Sequence, residues 1–225
     1  MFITERQLVE TLKGNFKIIC DWNIKRTQTN ILEEVNLGFG IADLVISKIN
    51  KHQSSEISWS YFDILIYKII ETDNNVSMEL LKSITKAKES QIRKSLEMLM
   101  LESYINHRDS IFRIKKSYKS ISAKTIAIEA KLKNWTRALD QAYRYKWFAT
   151  QSYVVLDSNH AMPACKNIAK FIELNVGLAE INPEGLLKIH FKPNEEKPID
   201  DKMFMLLNEQ IKQTLFRQQI VSPGI

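Results

Sequence analysis

Cysteine is nearly absent from this chain: Cys20 and Cys165 are the only two in 225 residues, with no C-x-x-C pair. A disulfide framework is excluded, and a reducing compartment is the simplest expectation. The four histidines, at 52, 107, 160 and 190, lack zinc-finger spacing. There is no G-x-S-x-G elbow, no Walker-type loop and no G-x-G-x-x-G opening a helix. Those absences argue against the common serine hydrolase, P-loop and dinucleotide sites. No run approaches 18 apolar residues, and the first twenty lack the charged, apolar and small-residue regions of a signal peptide. Internal repeats and low-complexity tracts are missing too. The expectation is a soluble, cytoplasmic protein with no membrane partner.

What is present is ordinary for a globular chain: 44% hydrophobic and 26% charged residues, enough for one large or two modest domains. The net charge of +6 and pI near 9.1 lean towards a polyanionic partner, and the excess is concentrated. Residues 82–119 carry ten basic and four acidic side chains, a surplus equal to that of the whole chain.

Thr4 reads as the N-cap of a helix over residues 4–12 with Ile3, Leu8 and Leu12 on one face and Gly14 past its end. Residues 16–24 read as extended. Residues 31–48 read as two strands joined at Gly38-Phe39-Gly40, where glycine permits positive φ. The second strand is apolar except for Asp43, which either reaches solvent at the hairpin end or is paired with a cation. A polar connector, 50–56, then marks a boundary.

Three amphipathic helices follow, with apolar faces built on Trp59 to Ile70, on 76–84 behind Ser77, and on 89–101 with Ile92, Leu96 and Leu99. Two short strands flank His107-Arg108-Asp109-Ser110. The stretch VSMELLKSITKAKESQIRKSLEMLMLESYINHRDSIFRIKK, with its I-R-K-S-L helix, resembles a winged helix-turn-helix. That resemblance implies duplex DNA as partner. The third helix (Lys88, Gln91, Arg93, Lys94, with Lys86 just before it) would enter the major groove, and the wing (Arg113, Lys115, Lys116) would hold the backbone. Such modules also dock proteins, so the interaction class stays open.

Residues 125–157 read as strand, a helix of about four turns, and strand: a βαβ unit with parallel pairing. Further on, 163–174 reads as a helix, 177–181 and 186–191 as a hairpin, and 200–219 as a last helix. The apolar face of that helix (Met203, Leu206, Leu207, Ile211, Leu215) either covers the sheet or meets another chain. The expected architecture is one α/β domain, residues 1–52 and 120–225, with a mixed sheet flanked by helices. A helical module, 56–118, interrupts it.

Glu129 and Lys131 are two apart at the end of a buried strand, so their side chains share a face. With Asp43 they supply two carboxylates for a hard divalent cation and an amine beside it to orient water; the alternative is a lysine snorkelling at a strand end. Asp43 in G-I-A-D-L-V, Glu129-Ala130-Lys131 in I-A-I-E-A-K, and Gln141-x-x-x-Tyr145 on the next helix resemble the PD-(D/E)XK nuclease superfamily, with its restriction-endonuclease-like fold and the Q-x-x-x-Y helix of its RecB-type branch. The match spans 1–50 and 120–190; Ala42 stands where many members have proline. The resemblance implies Mg²⁺ or Mn²⁺ held by Asp43, Glu129 and the carbonyl of Ala130, with Lys131 positioning water and Gln141 and Tyr145 supporting substrate and ligands. Glu5, Glu10 or Glu34 would be the accessory acid. It further implies DNA hydrolysis. A non-cleaving regulator that keeps the fold, an RNA-directed nuclease, and a homodimer or protein partner in a larger DNA-processing system remain open.

Overall fold

The computed structural model describes residues 1–50, 57–73 and 75–221; most of the expected connector (51–56) and the tail (222–225) lie outside the described residues. Chain contacts divide it into two compact units, Met1–Gln53 with Ile121–Leu207, and Ser54–Ser120 with Asn208–Ile225.

The first unit is α/β, with a mixed six-stranded sheet of order β1-β2-β5-β6-β7-β8. β1 (Thr29–Asn36) and β2 (Ile41–Ile49) form an antiparallel hairpin. Its turn holds Gly38 at φ +90° and Gly40 at φ +106°, backbone that L side chains rarely adopt. β2 pairs antiparallel with β5 (Ser122–Lys131), and β5 and β7 (Gly177–Ile181) flank β6 (Gln151–Asp157) in parallel. β7 and the edge strand β8 (Leu187–Phe191) form a second hairpin. Every residue of β6 is buried, as expected of a strand covered on both faces.

One face is covered by α1 (Glu5–Asn15), N-capped by Thr4. Its Leu8 and Leu12, four apart and fully buried, pack into a cluster with Leu44, Ile46, Ile126, Ile128, Tyr153 and Val155; each contributes about 2 kcal/mol of apolar burial. The helix runs through Gly14, and residues 16–24 are not a strand. A 3-10 turn, Phe16–Ile18, follows instead. Phe16 and Ile19 are both buried in the same cluster, a helical spacing of three that a strand would put on opposite faces. α5 (Trp135–Arg144) packs on β5 and β6. It is shorter than the four turns expected, ending in a 3-10 turn, Tyr145–Trp147. The helix expected over 163–174 is two, α6 (Met162–Lys166) and α7 (Ile168–Leu174), interrupted at Asn167. α7 lies on β7 and β8. Gly177 faces Tyr153 across the β6–β7 ladder, where a Cβ would meet the ring at 2.2 Å.

The second unit contains α2 (Tyr61–Thr72), α3 (Met78–Thr85), α4 (Glu89–Leu101) and the hairpin β3 (Ile105–Arg108) with β4 (Ile111–Ile114). Ser60 and Asp63 form a reciprocal capping box at the start of α2, and Ser77 caps α3. Asp109 and Ser110 both take positive φ (52° and 62°), giving the hairpin a turn whose twist matches its strands. The last helix, α8 (Asp201–Val221), was expected to belong wholly to the α/β domain; from Asn208 on it is counted with this unit. Glu209, 1% exposed, accounts for that. Its carboxylate accepts the Trp59 N–H (2.9 Å) and the Tyr118 hydroxyl (2.9 Å) and pairs with Lys212 (2.6 Å). Among the described residues no helix is long and apolar enough to cross a membrane.

Candidate active site

The first ladder pair between β2 and β5 at this end is Leu44 with Ile128. One step beyond stand Asp43 and Glu129, where the ladder ends. The Ala130 N–H donates to Asp43 Oδ2 at 2.7 Å, replacing a strand-to-strand bond by a side-chain bond. In an extended chain the N–H and C=O of one residue point to the same neighbour. The Ala130 carbonyl is therefore directed to the Asp43 side.

Lys131, with 17% of its side chain exposed, bridges Glu129 Oε1 at 3.0 Å and Glu5 Oε2 at 3.1 Å. Glu5 comes from the first turn of α1. Glu34 lies between the paired residues Glu33 and Val35 and stands opposite Asp43 without a ladder pair of its own, at φ +50°. Left-handed backbone in a non-glycine strand residue costs on the order of 1 kcal/mol. Glu10 is not gathered here; it pairs with Lys13 at 3.2 Å, which also holds Glu33 at 2.7 Å.

Tyr145 closes the back of the cluster. Its hydroxyl reaches the Ile41 carbonyl at 2.6 Å and also Glu129 Oε2. One hydroxyl hydrogen serves only one acceptor at full strength, and a carbonyl only accepts. Both contacts are satisfied when the Glu129 carboxyl carries a proton. The electrostatics agree. Burial pushes Glu129 above the usual carboxylate range and the Asp43 charge adds to this, outweighing the bonds from Tyr145 and Lys131. Burial likewise raises Asp43, against the Ala130 N–H and the Lys131 charge, with Glu5 and Glu34 adding to the rise. Burial lowers the Lys131 ammonium, but the bond to Glu129, the charges of Glu129 and Asp43 and the bond to Glu5 outweigh it, so its pKa is raised. Gln141, one turn before Tyr145 on the same helical face, has its side-chain oxygen buried without a hydrogen-bond partner. Phe39, at the hairpin tip, stacks on Trp147 with centroids 4.8 Å apart.

Three carboxylates, those of Asp43, Glu129 and Glu5, thus act on one ammonium, and two of them hold their protons more tightly than usual. Such a cluster is short of positive charge and offers oxygen donors, the set a hard divalent cation takes. Sequence reasoning reached Asp43, Glu129, Lys131 and Tyr145. It did not find the Ile41 carbonyl or the Phe39–Trp147 stack, because neither a backbone acceptor nor a tertiary ring pair leaves a pattern in the sequence.

In the second unit Lys86 caps α3 in left-handed backbone (φ +54°), and Lys88 is the N-cap of α4. Both are exposed, as are Gln91, Arg93, Lys94, Lys115 and Lys116. Arg93 is held by Glu89, which also pairs with Lys82 at 3.1 Å. Arg113 donates to Asn75 Oδ1 at 3.1 Å, and the Lys116 ammonium lies 4.7 Å from the Tyr104 ring centre.

These features define an α/β protein with an acidic, lysine-bridged cluster at a splayed strand end. No family model, curated protein or solved structure matches the chain.

Proposed function

We propose that the chain is a Mg²⁺- or Mn²⁺-dependent deoxyribonuclease of the PD-(D/E)XK type that holds duplex DNA through a winged helix. The observation that carries this reading is the acidic cluster at the splayed end of β2 and β5, with Lys131 between Glu129 and Glu5. Asp43, Glu129 and the Ala130 carbonyl would hold the cation, which when bound would offset charge on the scissile phosphate and leaving oxygen. Lys131 would hold the attacking water by its ammonium. Tyr145 keeps the Glu129 carboxyl fixed through Oε2, and Gln141 has an unused acceptor for substrate. Glu5, through its bond to Lys131, is favoured as the accessory acid over Glu10. In the helical unit, the exposed Lys86, Lys88, Arg93 and Lys94, with Arg113, Lys115 and Lys116, would neutralise phosphates, and the exposed Gln91 amide would offer a hydrogen bond to the DNA.

A plasmid-nicking assay with each metal, comparing wild type with Asp43→Ala and Lys131→Ala, tests the reading. Nicking by the wild type that both variants lose by about 100-fold or more is expected. Failure of the wild type to cut duplex, single-stranded or branched DNA with either metal removes the enzymatic claim. A chain that still binds DNA would then be a docking or regulatory protein built on this fold.

A further inference from the structure

The far edge of the same sheet carries a second group of ligand-bearing side chains. Cys165 from α6, Glu180 from β7 and His190 from β8 bring one donor atom each within 4.8 Å of one another. They come together because β8 is irregular. Leu178 pairs with Phe191 but Ala179 pairs with Ile189, so His190 is an extra residue in the strand. A bulge of this kind re-aims a side chain. His190 Nε2 ends 2.9 Å from Glu180 Oε2, the two side chains 16% and 21% exposed. Yet Nε2 is sealed from solvent and meets no partner in hydrogen-bonding geometry. An imidazole nitrogen, a carboxylate oxygen and a sulfur converge there, and the approach of His190 to Glu180 is an ion pair only when the imidazole is protonated.

We propose that Cys165, Glu180 and His190 form a binding site for a thiophilic divalent cation of the Zn²⁺ class, with water as fourth ligand. Sulfur, nitrogen and oxygen donors about 2.0–2.3 Å from a tetrahedral ion stand roughly 3–4 Å from one another, inside the observed limit. The donor set separates this site chemically from the oxygen cluster at Asp43. Thiolate and imidazole select Zn²⁺ or Co²⁺, and Mg²⁺ binds neither well. Binding takes the thiol proton of Cys165 into solution. Lys188, opposite Glu180 in the ladder, is exposed, and its charge acts on Cys165 against the burial that raises the thiol pKa. The ion would clamp the β7–β8 hairpin to α6, independently of the nuclease reading.

Titration of the full chain with Co²⁺, and with Zn²⁺ against a chromophoric chelator, tests the site. The wild type is expected to bind Co²⁺ with a thiolate-to-metal charge-transfer band that saturates at one equivalent and that excess Zn²⁺ bleaches and excess Mg²⁺ does not. Cys165→Ser abolishes the band, and Cys165→Ser and His190→Gln each weaken Zn²⁺ binding by about 100-fold or more, whereas Lys188→Ala, which removes no ligand, keeps the band. Circular dichroism of the metal-free variants checks folding, and His190→Gln carries the test alone if Cys165→Ser does not fold. A Co²⁺ spectrum without the thiolate band, or Zn²⁺ affinity unchanged in His190→Gln, overturns the proposal.

Discussion

Truncating Lys131 to alanine probes the electrostatics of the β2–β5 end directly. Glu129, 1% exposed with Lys131 in place, loses the 3.0 Å partner of its Oε1. Removing one member of a fully buried pair costs about 3–5 kcal/mol, and of an exposed pair about 0–1 kcal/mol. Lys131, with 17% of its side chain exposed, lies between those limits, which places the loss near about 2 kcal/mol in mildly alkaline buffer. The loss depends on pH, and its sign follows from Glu129. Its folded pKa is raised, chiefly by burial, and Lys131 is one of the groups pulling it down; truncation raises it further. A carboxyl with a raised folded pKa favours the fold below its unfolded pKa and loses that advantage as pH climbs through the folded one. The deficit of Lys131→Ala relative to wild type should therefore be small in acid, where Glu129 is protonated in both, and grow towards about pH 8. Urea unfolding followed by tryptophan fluorescence reads it, since Trp22, Trp135 and Trp147 lie in the α/β unit and Trp59 in the other. An equal deficit at both ends of the range, or a larger one in acid, would refute this account of the cluster.

Gly177→Ala places a methyl 2.2 Å from the fully buried Tyr153 ring and should destabilise the α/β unit by about 3 kcal/mol or more; a urea midpoint like that of wild type sinks the overlap argument. In the helical unit, Lys88→Glu with Lys94→Glu removes two exposed cations and should lower the slope of log affinity for duplex DNA against log salt by roughly 2. An unaltered slope in a binding titration would show that this face does not meet phosphate.

Much of the sheet could be read directly because its strands carry strong local signals. The Gly38–Gly40 turn demands positive φ, and residues 126–128 and 153–156 are apolar runs too short for helices. Where several conformations share one apolar pattern the reading failed. Phe16 and Ile19 suit a strand or a turn equally until a helix face is there to receive them. The face of α8 is apolar from Met203 to Leu215, so nothing in that stretch marks Asn208 as the point where its company changes. The candidate site was legible through its anomaly, single charges in buried strands. Choosing among Glu5, Glu10 and Glu34 was beyond the sequence, because that choice depends on how α1 and β1 meet the end of β5. The Cys165, Glu180 and His190 trio was equally hidden. Its members come from three elements, and the bulge that turns His190 inward has no residue signature.

The order of the strands also has a consequence for the growing chain. The hairpin of β1 and β2 is complete at Ile49, but the strand that pairs with its inner edge begins only at Ser122. At 5–20 residues per second, the edge of Val45 and Ile46 stays unpaired for on the order of ten seconds after it is made. During that interval the nascent protein presents an apolar template to any neighbouring strand, while the helical segment being made next depends on local contacts and can form ahead of it. Yield should thus respond to codon speed between the two strands, and fragments ending before Lys131 should accumulate as aggregates.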